Sequence, residues 1–585
     1  MSADDDAVVS ATGTPAAAAP GGRTVAGRPS PPTAAPPGSL APAHVRARRT
    51  RPLTMLLLAI LLLGSGTAIL TAMQHTSATF DEIVMVAGGA RGWETGQWDI
   101  APEHPPLTQY LYGLPVWVAG AEYPDESRVP ERLRESMAYR YYYAQQFYWT
   151  AGNDPERVAF LGRLPAVAAA LALVLATFFF TRGAFGDAPA LLAAAVVAFL
   201  PDVLAHGGVA YNDVPVTLAI LASLWLIDGA LRQPAPWRGA LAGVAIGLAL
   251  ATKNSAIAIA PMAMLLFALE ALVQRDRRWA AQAALSALAA LAVGYVTLVL
   301  AYRGDVLLEE WRYAIGFVTN QVGGRQTPAY LLGEVRPDGW WYYFPVAFVF
   351  KTSAGLHLLL AVSIGWLALS LRRAPLRAIA SPLRVPVVGL LVFGALLLTS
   401  KLNIGFRYAM PALPLVAVLA AVGAVRAWRE ATEARRTVRV AIAVAVALLV
   451  LHPLSYWPHF LTYVSEYGPG RDLNHRVLAD SSLDWGQGLL ELRDYMQANG
   501  IPSVYLSYFG SALPAGYGIR YVPLPSFFPL PPHPAGAPAE EPRWAAVSAT
   551  NLVGPYVGPE VFAGLRAAPP DTVLGHTIFV YRIGR

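Results

Sequence analysis

The sequence predicts a polytopic α-helical membrane protein of about eleven transmembrane helices, followed by a small extracytoplasmic α/β domain. Composition is the first reason: of 585 residues 55% are hydrophobic and only 14% are charged, with a mean hydropathy of +0.42. Soluble domains carry about 25% charged residues. The second reason is eleven apolar runs within residues 52–457, most of them near the length of about 20 residues that a helix needs to cross a bilayer.

The N-terminal segment, residues 1–50, is rich in Ala, Pro, Gly and Ser and lacks hydrophobic periodicity. It ends in four arginines, Arg46, Arg48, Arg49 and Arg51. This pattern predicts a disordered cytoplasmic tail. The apolar run 52–73 that follows is longer than the core of a cleaved signal peptide and has a long leader, so it predicts a signal anchor.

Arginines between the apolar runs set the predicted orientation. The ten further runs lie at about 159–181, 188–204, 213–231, 238–252, 254–273, 279–301, 343–371, 385–401, 409–426 and 437–457. With the tail in the cytoplasm, every cytoplasmic connection is basic, as the positive-inside rule requires. The arginines concerned are Arg182, Arg232, Arg238, Arg275, Arg277, Arg278, Arg372, Arg373, Arg377, Arg384, Arg426, Arg429, Arg435, Arg436 and Arg439.

Three long segments are then predicted to lie outside: 74–158, 302–342 and 458–585. The first is rich in Tyr and Trp, which is typical of helices in the headgroup layer. The last reads as an α/β domain, with a helix from near Ser482 to Asn499-Gly500. Its predicted strands are 503–509, 544–549 and 577–582.

Composition also excludes several kinds of chemistry. The chain has no Cys, which excludes disulfides, thiolate metal sites, iron–sulfur clusters and a Cys nucleophile. Of its 44 basic residues only three are Lys, and the arginines cluster between apolar runs. No basic face interleaved with stacking aromatic residues is present, so we predict no nucleic-acid partner.

Five cations lie on the predicted outer side, where they contribute nothing to topology: Arg163, Lys253, Lys351, Lys401 and Arg407. A charge at mid-bilayer costs about 2.5–3.5 kcal/mol on insertion scales. Each could snorkel to headgroups on its own. Together they predict a shared anionic ligand at the membrane face, and a lipid phosphate fits that depth.

Acidic residues lie on the same predicted side: Asp81, Glu82, Glu103 and Asp213. A carboxylate near the membrane surface can remove the proton of an acceptor hydroxyl. Asp81 and Asp213 could instead cap helices. Glu103 and the neighbouring His104 could hold a divalent cation, or His104 could only bond backbone before Pro105. These alternatives stay open from sequence, and no cofactor is certain.

The ordered set of motifs resembles glycosyltransferase family 39 of the GT-C superfold, which includes protein O-mannosyltransferases and bacterial lipid A aminoarabinose transferases. After the basic tail and first span come Asp81-Glu82 and Glu103-His104-Pro105-Pro106-Leu107. Further similar elements are Gly247–Lys253, Phe350-Lys351-Thr352, Arg407–Pro411 and Ser482-Leu483-Asp484-Trp485-Gly486-Gln487.

The resemblance implies a polyprenyl-phosphate-linked sugar donor and an inverting transfer to an extracytoplasmic protein, glycan or lipid. It implies that Asp81, beside Glu82, is the base. It implies that Arg407 binds the donor phosphate, with His104 and Glu103 near that phosphate or a metal. We expect the cations Lys253, Lys351, Lys401 and Arg163 to assist Arg407, and Asp213, Tyr408 and Asp484 to contact substrate. Asp484 could also be plain capping chemistry.

Two other classes compete with this interpretation. A lipid or glycolipid transporter would also place charges at phosphate depth, but it would favour inverted repeats or charges near mid-bilayer. The sequence shows neither. A membrane scaffold that binds a partner leaves Asp81 and the outer cations unexplained. We therefore predict a transferase of the bacterial cytoplasmic membrane.

Overall fold

The computed structural model describes residues 51–583 apart from 130–132, 134–135, 325–326, 373–375, 433–435 and 537. The predicted tail, residues 1–50, lies outside the described residues. Among those described, eight helices are long and apolar enough to cross a membrane, and three shorter apolar helices accompany them. Many of their leucines face outward, as lipid contact requires. The protein is a multi-pass membrane protein, as predicted.

The helices of eight residues or more are as follows, in chain order. They are α1 (Pro52–Ala72), α2 (Glu82–Thr95), α3 (Pro106–Val118), α4 (Tyr139–Trp149), α5 (Pro155–Phe185), α6 (Asp187–Ala198), α7 (Asp213–Arg232), α8 (Pro236–Leu250), α9 (Ile259–Gln274), α10 (Arg277–Ala301), α11 (Glu309–Gly324), α12 (Tyr343–Lys351), α13 (Ala354–Leu371), α14 (Leu376–Thr399), α15 (Leu413–Glu430), α16 (Arg436–Leu454) and α17 (Leu489–Ala498). Short helices Pro201–His206, Ala549–Val553 and Ala563–Ala567 complete the set.

The run 343–371, predicted as one span, is two helices. The break falls at Thr352-Ser353, where both residues are extended. The Ser353 hydroxyl accepts a hydrogen bond from the Leu356 amide at 3.3 Å and so caps α13. The apolar pattern continues across the break, so hydropathy alone does not reveal it.

Glycines set the tightest helix contact. Gly239, Gly243 and Gly247 lie four residues apart along one face of α8. A methyl group on Gly239 would come within 1.9 Å of the Ser286 carbonyl oxygen, and one on Gly243 within 2.4 Å of the Ala290 carbonyl oxygen. Small residues at this spacing let α8 and α10 approach backbone to backbone.

Helices also fill the predicted outer segment 74–158. Of these, α2 and α3 cross closely, because a methyl group on Gly113 would meet the Gly89 backbone at 2.0 Å. The segment 302–342 contains α11 and a hairpin of β1 (Ala329–Leu331) and β2 (Glu334–Arg336). The segment thus carries regular structure that the sequence patterns left unassigned.

The C-terminal region is a five-stranded mixed sheet with helices. Its strands are β3 (Val504–Ser507), β4 (Tyr521–Pro523), β5 (Trp544–Ser548), β6 (Thr572–Leu574) and β7 (Ile578–Arg582), in the order β4-β3-β5-β7-β6. Strand β3 is parallel to β4 and β5, and β7 is antiparallel to β5 and β6. The three predicted strands are present as β3, β5 and β7. The edge strands β4 and β6 are too short to predict.

The predicted C-terminal helix starts later than expected, at Leu489, and ends as expected before Asn499-Gly500. Residues 483–488 form a loop instead, since Gly486 has a positive φ of 89° and the Asp484 carboxylate accepts the Gly486 amide at 3.3 Å. The Ser77 amide donates to the Gln487 carbonyl at 3.0 Å and the Phe80 amide to the Trp485 carbonyl at 2.9 Å. This loop therefore lies directly against the segment that leads into α2.

Candidate active site

Four charged side chains from separate parts of the sequence meet at one end of the helix bundle. Asp81 immediately precedes α2, Asp213 begins α7, Lys253 follows α8, and Arg407 precedes α15. Each stands where a helix starts or ends. The fold therefore gathers at one level groups that are far apart in sequence.

The Arg407 guanidinium is the centre of this cluster. It is buried, and its carbon lies 4.3 Å from the centre of the Trp485 ring, 4.9 Å from that of Tyr211 and 5.1 Å from that of Tyr408. Its Nε donates to the Ser481 hydroxyl at 3.0 Å. Three aromatic rings thus hold a cation by their faces.

Asp213 joins the two cations. One carboxylate oxygen accepts from the Lys253 ammonium, and the other lies 3.4 Å from Nη1 of Arg407. Asp213 is 2% exposed, so its charge requires these partners. Because the carboxylate is shared between two cations, neither cation is fully neutralised by a partner of its own.

Asp81 is more open than its neighbours, with a side chain 24% exposed. One carboxylate oxygen lies 3.9 Å from Nη2 of Arg407, and the other accepts from the Tyr141 hydroxyl at 3.4 Å. Burial and the neighbouring Asp81 carboxylate raise the pKa of Tyr141. Although Asp81 stands at the N-cap of α2, its side chain makes no capping hydrogen bond. Its carboxylate faces the cluster.

Glu82 and Arg163, predicted as catalytic and phosphate-binding, occupy a different place. They form a fully buried bidentate pair with both contacts at 2.8 Å. Glu82 also accepts the amides of Thr79 and Ala210, each at 2.9 Å. Arg163 also donates to the carbonyls of Met73, Thr76 and Ser77. All five N–H groups of the Arg163 guanidinium and both Glu82 oxygens are therefore occupied. The pair holds the backbone that leads into α2, and the predicted catalytic and phosphate-binding roles are corrected.

The other two predicted phosphate-binding lysines, Lys351 and Lys401, have different surroundings. Lys351 is buried and donates to the carbonyls of Leu461, Tyr463 and Ser482 at 2.9–3.0 Å. These three bonds use all its hydrogens and tie α12 to the C-terminal region. Lys401 is exposed in the segment after α14. The predicted phosphate-binding role of Lys351 is therefore corrected, and that of Lys401 stays a prediction.

Glu103 and His104 border the cluster, and each contacts other protein groups. Glu103 pairs with Arg140, and its nearer oxygen lies 3.6 Å from His104 Nε2. The His104 ring lies 3.5 Å from both the Tyr211 hydroxyl and the Asn212 amide nitrogen. Burial lowers the pKa of His104 to about 4. No group of three or more His, Cys, Asp or Glu side chains that could hold a metal ion occurs among the described residues, and the Glu103 carboxylate is engaged by Arg140.

The predicted substrate contact Asp484 is also a structural group. Its carboxylate oxygens accept the Gly486 amide at 3.3 Å and the Thr550 amide at 3.0 Å, and burial raises its pKa to about 7. Asp484 does not cap α17 as the capping alternative predicted, since the N-cap of that helix is Gly488 and has no side-chain hydrogen bond. Its neighbour Trp485 instead lies over Arg407.

Sequence reasoning missed Ser481, Trp485, Tyr211 and Tyr141 as members of this site. Trp485 stood inside a quoted motif, and Tyr211 stands two residues before Asp213. Adjacency to a charged motif was the available signal for those two. Tyr141 lies 60 residues from Asp81 in a tyrosine-rich helix, where nothing distinguishes it from its neighbours.

Part of the chain matches the model of a known protein family, and solved structures resemble its fold. Residues 154–302 match the family model described as dolichyl-phosphate-mannose-protein mannosyltransferase. No curated protein matches the chain by sequence. Among solved structures, ArnT from Cupriavidus metallidurans is similar in its apo state, with 13% identity, coverage of 90% of this chain and 97% of that one, and a TM-score of 0.47. The same protein bound to undecaprenyl phosphate gives 13% identity, the same coverage and a TM-score of 0.45.

The archaeal oligosaccharyltransferase AglB from Archaeoglobus fulgidus, in complex with an inhibitory peptide and a dolichol-phosphate, is also similar. Its identity is 15%, its TM-score is 0.45, and the match covers 72% of this chain and 57% of that one. The matched family region, 154–302, begins just before α5 and contains Arg163, Asp213 and Lys253. The match to this family model over residues 154–302 supports the resemblance to glycosyltransferase family 39 that the motifs predict.

Proposed function

We propose that this protein transfers a sugar from a polyprenyl-phosphate donor to an extracytoplasmic acceptor, with inversion and with Asp81 as the base. One observation carries the proposal. The Asp81 carboxylate lies 3.9 Å from Arg407, while Arg407 and Lys253 converge on Asp213. A base and two cations therefore stand side by side at one end of the bundle, where a reacting sugar can lie between them.

The reaction needs one proton acceptor and a place for developing negative charge. The acceptor hydroxyl attacks the anomeric carbon, its proton passes to Asp81, and the bond from that carbon to the phosphate oxygen breaks. A single displacement inverts the configuration. The departing polyprenyl phosphate is a stable anion, since the second pKa of a phosphate monoester is about 6, so no general acid is needed.

Arg407 and Lys253 would stabilise that anion. The guanidinium can hold two phosphate oxygens, and the ammonium adds a point charge. Cations already oriented in a water-poor site need little reorganisation when charge develops. Asp213 positions both, and His104 lies at the edge of the same cluster.

The same geometry argues against the transporter alternative. A transporter's charges would line a path through the membrane, whereas these groups cluster at one end of the bundle. The positive-inside pattern of the arginines supports an orientation with that end outside the cytoplasm. The proposal is therefore a multi-pass protein of the bacterial cytoplasmic membrane with its C-terminal region outside.

The test is mass spectrometry of polyprenyl-phosphate lipids in cells that lack the protein. The cells are complemented with the wild type, Asp81→Asn or Asp338→Asn. Asp338 is an exposed carboxylate in the segment 302–342 and serves as the matched control. We expect one sugar-loaded carrier to accumulate in the null and with Asp81→Asn, and to be cleared by the wild type and Asp338→Asn.

That result would also identify the donor sugar from the mass of the carrier. If no carrier accumulates in the null, transfer from such a carrier is contradicted. If Asp81→Asn clears the carrier as well as the wild type does, the base is another group.

A further inference from the structure

Six aromatic rings pack in a continuous cluster beside Asp81, which we call the aromatic wall. Its members are Phe80, Tyr141, Phe509, Phe527, Phe528 and Tyr556. Phe80 lies 5.5–5.9 Å, centre to centre, from Tyr141, Phe509, Phe527 and Phe528. The wall thus joins the membrane part of the chain to the C-terminal region.

The wall borders the candidate active site at two points. Phe80 directly precedes Asp81, and the Tyr141 hydroxyl donates to the Asp81 carboxylate. On the far side, the Tyr556 hydroxyl donates to Asp480, whose neighbour Ser481 accepts from Arg407. The wall is therefore connected to both the base and the main cation.

Part of the wall is open to an incoming molecule. Phe527 is 46% exposed, although it packs against Tyr556 at 4.6 Å between ring centres. A half-exposed aromatic ring lacks part of the hydrophobic stabilisation that full burial provides. A ligand that covers the ring would supply it.

We propose that the aromatic wall binds the acceptor and that the acceptor is an uncharged carbohydrate. This inference rests on the proposed function. A sugar ring presents an apolar C–H face that can lie flat on an aromatic ring, and its hydroxyls extend from the edge toward Asp81. The aromatic wall thus provides the contact area for the sugar, while Asp81 determines which hydroxyl is oriented for reaction.

Charge supports an uncharged acceptor. Residues 521–539, which carry Phe527 and Phe528, contain no Asp, Glu, Lys or Arg. Arg140, whose guanidinium carbon lies 5.5 Å from the centre of the Tyr141 ring, is paired with Glu103. Lys253 and Arg407 contact Asp213 in the site proposed for the donor phosphate. A phosphorylated acceptor would compete with the donor for Lys253 and Arg407.

The backbone disfavours a peptide acceptor. The segment that carries the two phenylalanines is interrupted by Pro523, Pro525 and Pro529. Proline has no amide hydrogen, so this segment cannot pair with an extended peptide as a strand edge does. A carbohydrate needs no such ladder.

The test uses the full-length protein in lipid nanodiscs and measures binding by saturation-transfer NMR. The probes are neutral arabinan, mannan and glucan oligomers, an uncharged Ser/Thr peptide, and undecaprenyl phosphate. Phe527→Ala removes the exposed ring, Phe527→Tyr keeps it, and Trp341→Ala removes an aromatic ring that is 68% exposed elsewhere. We expect one oligomer to bind about five- to tenfold more weakly to Phe527→Ala than to the wild type. Its affinity for Phe527→Tyr and Trp341→Ala should equal that for the wild type.

Several outcomes would overturn the inference. They are the absence of oligosaccharide binding, binding that Phe527→Ala leaves unchanged, or binding of the peptide in place of the oligomers. Undecaprenyl phosphate separates the two proposals. If it fails to bind while an oligomer binds at Phe527, the donor assignment is wrong and the aromatic wall stands.

Discussion

Helix α7 carries a charge cluster at each end, and the two clusters are built differently. At its C-terminal end Arg384 donates twice to Asp228, at 2.7 and 2.8 Å, and pairs with Glu270, while Arg232 contacts Asp228 at 2.6 Å. At its N-terminal end Arg407 lies 3.4 Å from Asp213 and 3.9 Å from Asp81. The first cluster is closely paired and the second is loosely paired.

The difference supports a structural role for the first cluster and the proposed reactive role for the second. In the closely paired cluster, short contacts compensate for the desolvation of each charge. In the loose cluster, aromatic rings replace part of the ionic contact with Arg407. Such a cation can exchange a carboxylate for a phosphate without breaking a closed pair. The same contrast holds between two adjacent residues. Both carboxylate oxygens of Glu82 accept buried hydrogen bonds, whereas the Asp81 carboxylate is partly exposed and only loosely paired.

The largest effect is expected from Asp81→Asn. The amide keeps the shape of the side chain but accepts no proton, so transfer should fall by about 10²–10⁴-fold. Thermal stability should change little because Asp81 makes no capping bond. Transfer kinetics and a melting curve in detergent check both parts. Near-normal turnover would assign the base elsewhere.

Arg407→Ala should lower kcat/KM for the donor by about 10²–10³-fold, as loss of a group that stabilises developing charge does. Arg407→Lys should recover only part, since an ammonium cannot hold two oxygens at once. The readout is donor titration at fixed acceptor. Equal donor kinetics in the alanine variant and the wild type would remove Arg407 from the phosphate site.

The closely paired cluster should respond in stability. Arg384→Met leaves Glu270 buried without its cation and should lower the free energy of unfolding by about 3–5 kcal/mol. The control is Arg182→Met, which opens the half-exposed pair with Asp187 and should cost under about 1 kcal/mol. Thermal or denaturant unfolding in detergent measures both. Equal losses of unfolding free energy in the two variants would contradict a structural role for the closely paired cluster.

Trp485→Leu should raise the apparent KM for the donor by about three- to tenfold, because it removes the ring face nearest to Arg407. Trp485→Phe keeps a ring face and should lie between the leucine variant and the wild type. Donor kinetics provide the measurement. A larger loss of stability than of donor affinity would make Trp485 a packing residue only.

The smallest effect concerns pH. Because burial lowers the pKa of His104 to about 4, the ring is neutral in the folded protein from about pH 5 upward. An unfolded His protonates near pH 6.5, so folding stability is lost as pH falls from about 6.5 to 4. His104→Asn should reduce that loss and leave the shape of the activity profile between pH 6 and 8 unchanged. A profile that shifts with this variant would contradict a neutral His104.

Hydropathy and charge predicted the fold class well because membrane insertion is decided by local sequence. The spans begin and end near the predicted residues, since apolar length and flanking arginines are read one segment at a time. The break at Thr352-Ser353 escaped prediction because a cap within a continuous apolar run leaves hydropathy unchanged. Short edge strands such as β6 were not predicted, because three residues are too few to show an alternating apolar pattern.

The site was predicted less completely because pairing is a long-range property. Asp81, Asp213, Lys253 and Arg407 were named from their positions at span ends, and the fold brings them together. Nothing local distinguishes Lys253 from Lys351, yet the latter is held by three carbonyls. Whether a charge is free or saturated depends on partners that are distant in sequence.

The position of Trp485 and Ser481 has a consequence for how the protein is made. Arg407 is synthesised before the final span, α16, whereas Ser481 and Trp485 follow it. A nascent chain arrested before residue 481 can insert its helices yet lacks two groups that hold the guanidinium. The contacts of the Arg407 guanidinium are therefore completed only after Trp485 has been synthesised, when the helices before it are already made.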